Sequence, residues 1–493
     1  MVELVPEQDE EHKREKKTYG FLLAGSILIA ILYDFLFYDK VAGVSYPIFI
    51  FCVYAVLYRK VKAILIKKEC FESFLTVPIL ALSLAYLFFS NQVLRTINSF
   101  LIPVLLVAHI LLIIGKNRYE WFQLGFLKDI LKGMLVWPFA HVPNLFHVIS
   151  KLTVDNKELS RKSAIRNVLV GIIFSLPVII FVIVLLSSAD EVFGNMVKLV
   201  LSEVGFVEII IHIMLIGFIT ALTFGFFCGL ISSSGTKVPY KNVKPKLDVV
   251  SVLTGLCLLN IVYCLFSYIQ FAYLFGPIFN LLPEGFSYAE YARRGFFELV
   301  VVAIVNVAIV LASLNLTNIT GGHSGKIFKI LNCGLVVNTF VMLFSSFIRM
   351  YLYEEVYGYT YLRVFTHEFM IMLFFLLGVT LYRVWTGKLN VVKWYIVISL
   401  SSYVLVNYIN VDAFIARENM KIYYQTGTVD VAYLSEMSYD TTSCLKELSK
   451  SSNVLLSTAA QKAITSRKEV LAGEEKWQSF NLSKYRANDL LNN

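Results

Sequence analysis

Residues 207–231 read VEIIIHIMLIGFITALTFGFFCGLI, and after Glu208 they contain no Asp, Glu, Lys or Arg. About 20 apolar residues in a helix suffice to cross the hydrocarbon core of a bilayer. This run therefore predicts a transmembrane helix, and its neighbours repeat the pattern. Eleven such runs are expected in all, at 19–38, 41–58, 72–90, 93–115, 167–187, 207–231, 249–276, 296–316, 327–351, 364–385 and 391–408. The run at 41–58 is the shortest.

The whole chain agrees with that reading. Of 493 residues 57% are hydrophobic and only 16% are charged, against about 25% charged in a soluble domain. Mean hydropathy is +0.68. A soluble enzyme, a disordered chain and a nucleic-acid-binding domain are excluded, so no nucleic-acid partner is expected. The seven cysteines include no CxxC spacing, which leaves neither a disulfide framework nor a zinc ribbon. The first 20 residues are acidic and then basic, with no cleavage site after the first apolar run. That run is therefore read as a retained helix, not a signal peptide.

The 44 Lys and Arg residues orient the bundle. With the N-terminus inside, 27 fall in segments that would be cytoplasmic and 7 in the opposite loops, and 10 lie in the tail. Basic residues near helix ends stay cytoplasmic, so the expectation is N-terminus inside and C-terminus outside. The resulting plan is a cytoplasmic segment 1–18, a membrane domain 19–408 and an extracytoplasmic helical tail 409–493. Segment 116–166, with Trp121, Phe122, Phe126, Trp137, Pro138 and Pro143 among Lys and Arg, is read as an amphipathic stretch on the inner leaflet. A crossing at 130–149 is the alternative. In the tail, Val431, Leu434, Met437 and Leu445 stand at roughly helical spacing, and a cap of two to four helices is expected.

Charges inside membrane segments are costly and mark a cavity, a partner or a site. Here they gather at the helix ends read as outer. Glu290, Arg293, Arg294, Glu298, Arg349, Arg363 and His367 are the candidate ligand-binding residues. Arg294 and Glu298 are four apart on one helical face, as are Arg363 and His367. Planar guanidinium groups suit phosphate or carboxylate, which points to an anionic or lipid-linked small molecule. His367 titrates near neutrality. The competing reading is a set of interhelical ion pairs, with His367 satisfied near Arg363 or by a backbone carbonyl. Asp34, one turn from the end of the first helix, is expected to snorkel to the interface. Asn260, Asn306 and Asn338 fall mid-helix and are expected to bond across helices.

No catalytic motif survives inspection. His367-Glu368 opens like HExxH, but Ile371 replaces the second ligand. Residues 320–327, TGGHSGKI, lack the first Gly and the final Ser or Thr of a phosphate loop. No metal and no cofactor is expected. An enzyme acting on a lipid-linked substrate, with Tyr288, Glu290 and His367 as acid–base groups, is the alternative to binding or transport. A structural or sensory subunit that docks a protein partner through the tail is the third reading.

Six stretches carry a resemblance: LLSSADEVF (185–193), EGFSYAEYARRGFFEL (284–299), RMYLYEEVYGYTYLR (349–363), NVDAFIAREN (410–419), VDVAYLSEMSYD (429–440) and WQSFNLSKYRA (477–487). Over roughly residues 165–490 the chain resembles a bacterial membrane family catalogued as domain of unknown function forty-one seventy-three, with forty-one fifty-three as a near relative. Val411 and Thr442 stand where that pattern has proline. The resemblance implies a multi-pass protein of the bacterial cytoplasmic membrane and no reaction. The fold expected is therefore an all-α polytopic transmembrane bundle of about eleven helices with a small C-terminal helical domain, its first partner the lipid bilayer.

Overall fold

The computed structural model describes residues 5–61, 70–145, 148, 175, 179, 182–183, 185–202, 206–233, 235–239, 247–274, 296–317, 322–473 and 476–492. Among them the protein is all-α, with no strand beyond an isolated bridge between Leu247 and Thr317. The helices are α1 (Val5–Phe37), α2 (Ser45–Val61), α3 (Cys70–Phe88), α4 (Gln92–Ile114), α5 (Gly125–Leu131), α6 (Trp137–Ala140), α7 (Glu191–Ser202), α8 (Phe206–Ser232), α9 (Val249–Leu274), α10 (Phe296–Leu316), α11 (Gly322–Tyr357), α12 (Tyr361–Thr386) and α13 (Val391–Tyr408). The tail adds α14 (Val411–Thr426), α15 (Val431–Glu436), α16 (Thr442–Leu448), α17 (Val454–Ala472) and α18 (Leu482–Asn492).

Eight of these helices are long and apolar enough to cross a membrane: α1 from Thr18, α4, and α8 to α13. They coincide with eight of the eleven expected runs. Two more, at 45–57 and 73–88, are shorter apolar helices, and 167–187 lies almost wholly outside the described residues. Phe51, Phe100, Phe344 and Phe375 stand exposed on these helices, as suits a face turned to lipid. The chain is a multi-pass integral membrane protein.

Two compact units divide the chain, and α3 and α4 each contribute to both. In the first unit α1 packs along α8 and beside α2. The Asp34 carboxylate meets His212 Nδ1 of α8 at 2.7 Å, with the Asp34 side chain 13% exposed. The contact is possible because α1 and α8 run together. Segment 116–145 forms α5, one π turn at Lys132–Val136 and α6. Its buried side, Phe126, Ile130, Gly133, Trp137 and Pro138, alternates with exposed Leu124, Leu127, Leu131, Leu135 and Phe139. α6 seats on Gly225 and Gly229 of α8, where a methyl group would strike the Pro138 carbonyl and the Trp137 ring. Small residues four apart are how membrane helices approach closely. The basic run at 151–166 lies outside the described residues.

In the second unit α11 is the axis, packed by α9, α10 and α12. Hydrogen bonds between side chains climb it. Ser313 donates to Asn332 at 2.7 Å, Asn306 to Thr339 at 2.9 Å, Tyr263 to Asn306 at 2.9 Å, Ser267 to Asn338 at 3.1 Å and Ser345 to Gln270 at 2.8 Å. Asn260 reaches the Leu331 carbonyl at 3.0 Å. The three mid-helix asparagines thus bond across helices as expected.

Among the described residues the tail has five α-helices rather than two to four, because Ser438 and a 3-10 turn at Tyr439–Thr441 divide what reads as one helix. Val431, Leu434, Met437 and Leu445 are all buried in its core, with Val411, Ile415 and Met420 of α14. Arg467 of α17 is buried at the centre. It donates to the hydroxyls of Thr442 at 2.8 Å and Thr441 at 2.9 Å, and to the carbonyls of Met437 at 3.0 Å, Ser435 at 3.2 Å and Leu434 at 3.3 Å. Those carbonyls end α15 and have no partner within it. Arg467→Met should cost about 2–3 kcal/mol by removing the guanidinium donor from the Met437 and Ser435 carbonyls, while Leu434 O keeps the Thr441 hydroxyl. The measurement is thermal unfolding and limited proteolysis of the detergent-solubilised chain. Cleavage should begin in 431–472 while the spanning helices persist, and an unchanged melting profile would refute the role.

Candidate functional site

The α11–α12 hairpin carries the polar chemistry of the second unit. Its turn needs Gly358, whose φ of +80° and contact with Asn419 leave no room for a side chain. Asn419 of α14 clamps that turn, accepting from Tyr359 N at 2.7 Å and donating to Tyr359 O at 2.9 Å. Beside it Asp412 accepts from Tyr361 Oη and from Asn91 Nδ2, both at 2.5 Å. The Tyr361 backbone N–H donates to Tyr433 Oη at 2.9 Å. The tail thus grips the end of the hairpin where the charged residues lie.

Four of the expected site residues are described. Arg349 is buried and faces α9, where its Nη2 donates to Gln270, which also accepts from Ser345. Arg363 is half-buried. It lies over the Tyr353 ring at 4.4 Å and donates to the carbonyls of Tyr357 and Gly358, capping α11. His367 stacks on Phe347 at 4.4 Å and pairs through Nδ1 with Glu354 at 3.6 Å. Glu298 is exposed in the first turn of α10, where a helix N-terminus favours negative charge. Glu290, Arg293 and Arg294 lie outside the described residues, as does Tyr288, so the Arg294–Glu298 pairing does too.

Glu354, which the sequence does not set apart from its neighbours in 349–363, is the centre of the arrangement. It is 1% exposed, and neither carboxylate oxygen has a hydrogen-bond partner. The basic side chain paired with it is His367, on the facing helix. The two had no spacing to link them, since the pair exists only once the hairpin closes. Arg349 and Glu354 are five residues apart, which on a helix of 3.6 residues per turn leaves them about 140° apart. The arginine and the acid–histidine pair accordingly face different neighbours, α9 and α12. No group of three or more His, Cys, Asp and Glu residues suited to a metal occurs among the described residues.

Removing one partner of a buried acid–base pair is strongly destabilising, whereas replacing both with apolar groups is not. His367→Leu should therefore cost about 3 kcal/mol, and adding Glu354→Leu should restore most of it. A thermal double-mutant cycle on the solubilised chain measures this; additive effects would show the pair to be uncoupled.

Asp412, beyond the last spanning helix, offers a pH test. Burial raises its carboxyl above the ordinary 3.8, partly offset by the hydroxyls of Ser438 and Tyr361 and the amide of Asn91. The folded state then binds the proton more tightly than the unfolded state. Stability of the docked tail should fall as pH rises from 3.8 through the raised value, and Asp412→Asn should flatten that slope in thermal unfolding scanned against pH. A slope that persists in the variant would assign it elsewhere.

Residues 76–448 match the model of the family described as a domain of unknown function, DUF4153. That is the relative named second above, and the match starts earlier and stops sooner than the resemblance. Neither a curated protein nor a solved structure matches the chain. The span of the match covers the hairpin, Glu354, His367 and the tail through α16, and the chain belongs to the DUF4153 family.

Proposed function

We propose that this protein binds or transports an anionic or lipid-linked ligand at the tail-bearing end of its second unit, with Glu354 and His367 exchanging a proton as the ligand moves. The observation that carries the reading is the carboxylate of Glu354, buried without a hydrogen bond. Ionisable groups held inside membrane helices are expensive and mark ion, proton or substrate pathways. Arg349 and Arg363 supply positive charge on the same hairpin, and Glu290, Arg293 and Arg294, outside the described residues, belong to the same reading. The alternation of basic loops supports the N-terminus inside and the tail outside a bacterial cytoplasmic membrane. On that topology the site opens to the outer face, and membership in family forty-one seventy-three remains part of the proposal.

Two measurements test it. Cys444 is a poor topology probe, because its thiol is half-buried and burial raises its pKa. Leu455 is 82% exposed on α17. In a Cys444→Ala background, Leu455→Cys should react with a membrane-impermeant maleimide in intact cells; reaction only after lysis would move the site to the cytoplasmic face. For binding, scanning fluorimetry of the solubilised chain with dodecyl phosphate and lysophosphatidylglycerol should show ligand stabilisation. The shift should vanish in Arg349→Ala and weaken in Glu354→Gln. No shift, or the same shift in both variants, would overturn the reading.

A further inference from the structure

The first unit holds a cavity of ≈ 290 Å³ that the site above does not use. It lies among α1, α2, α4, α8 and the π turn, with Ile29, Val53, Leu106, Phe226, Gly133 and Met134 on its walls. Among the described residues Tyr46 and Thr223 are its only polar side chains, and none is charged. A cavity with so few polar partners does not retain water, and a purely apolar one of about 150 Å³ already accepts a benzene-sized guest. Ile29, Leu106 and Phe226 belong to helices that cross the membrane. At that depth the apolar matter within reach is the hydrocarbon chain of a lipid.

The π turn is fitted to this space. Trp137 N–H reaches back to Lys132 O, the five-residue step that defines the bulge, and such bulges are frequent at functional sites. The bulge brings Gly133 and Met134 to the wall. A methyl group at Gly133 would lie 3.0 Å from Val107 Cγ1 and 3.6 Å from Phe226, so glycine keeps that wall thin. Lys132 immediately precedes Gly133 in the same turn, and Lys128 stands one turn earlier; both are exposed. Exposed lysines on an amphipathic segment reach the phosphate layer while their apolar neighbours sink below it.

We infer that this cavity is a lipid site, which takes one hydrocarbon chain of a lipid whose net-anionic phosphate headgroup lies at Lys128 and Lys132. Phosphatidylglycerol and a polyprenyl phosphate share that chemistry.

The test is photo-crosslinking of the full chain in phosphatidylcholine vesicles. These carry a trace of phosphatidylglycerol, or of phosphatidylcholine, with a diazirine in one acyl chain. After irradiation, peptide mass spectrometry should place the phosphatidylglycerol adducts on Met134, Val53 and Leu106 above the outward-facing Phe51, Phe100 and Leu135. Val53→Phe with Leu106→Phe should abolish the cavity adducts and leave the outward ones. Should that variant fail to fold, competition in the wild-type chain decides. Excess unlabelled phosphatidylglycerol or polyprenyl phosphate should remove the cavity adducts selectively, and whichever acts at the lower concentration identifies the source. Adducts spread evenly over the lipid-facing surface would overturn the site. Equal labelling by the two probes, or labelling unchanged in Lys128→Ala with Lys132→Ala, would overturn the headgroup assignment.

Discussion

A polar atom in hydrocarbon can be satisfied only by other protein atoms, and this requirement shapes the second unit. The asparagines and hydroxyls of α9, α10 and α11 answer it pairwise: Asn306 with Tyr263 and Thr339, Asn338 with Ser267, Asn332 with Ser313. Each bond joins two helices that lipid alone has little reason to press together. Against that background the two bare oxygens of Glu354 are conspicuous. The same helix that finds a partner for both its asparagines leaves its buried acid with a histidine at ion-pair distance only.

Tail and hairpin form one construction. Asn419 replaces, for Tyr359, the backbone partners that a tight turn loses, and Asp412 gathers Tyr361 and Asn91 at the same place. Behind them Arg467 closes the end of α15. The buried charges of the tail thus serve to join segments far apart in sequence, and their desolvation is offset by several hydrogen bonds each.

Much of this was legible before the structure. Hydropathy located eight spanning helices, because an uncharged run of that length has one solution in lipid. The mid-helix asparagines announced their bonds across helices, since no alternative is open to them. The helical spacing of Val431, Leu434, Met437 and Leu445 marked the core of the tail. Pairings were not legible. Asp34 and His212 meet across 178 positions, and Glu354 meets His367 only after the chain turns at Gly358. Arg467 sits beside Lys468 and Glu469 in a polar stretch that reads as surface. In such cases burial, not residue type, distinguishes the working charge from the solvated one, and burial belongs to the folded chain.

The length of α11 has a mechanical meaning. Its 36 residues make a rod of about 54 Å at 1.5 Å per residue, against a hydrocarbon layer of about 30 Å. A rod that long meets changes in bilayer thickness by sliding or tilting. Its far end, however, is clasped by Asn419 and Asp412, so the tail travels with it. The register between tail and hairpin is therefore set by the rod and not by the lipid surface, and it holds whatever the thickness of the membrane around it.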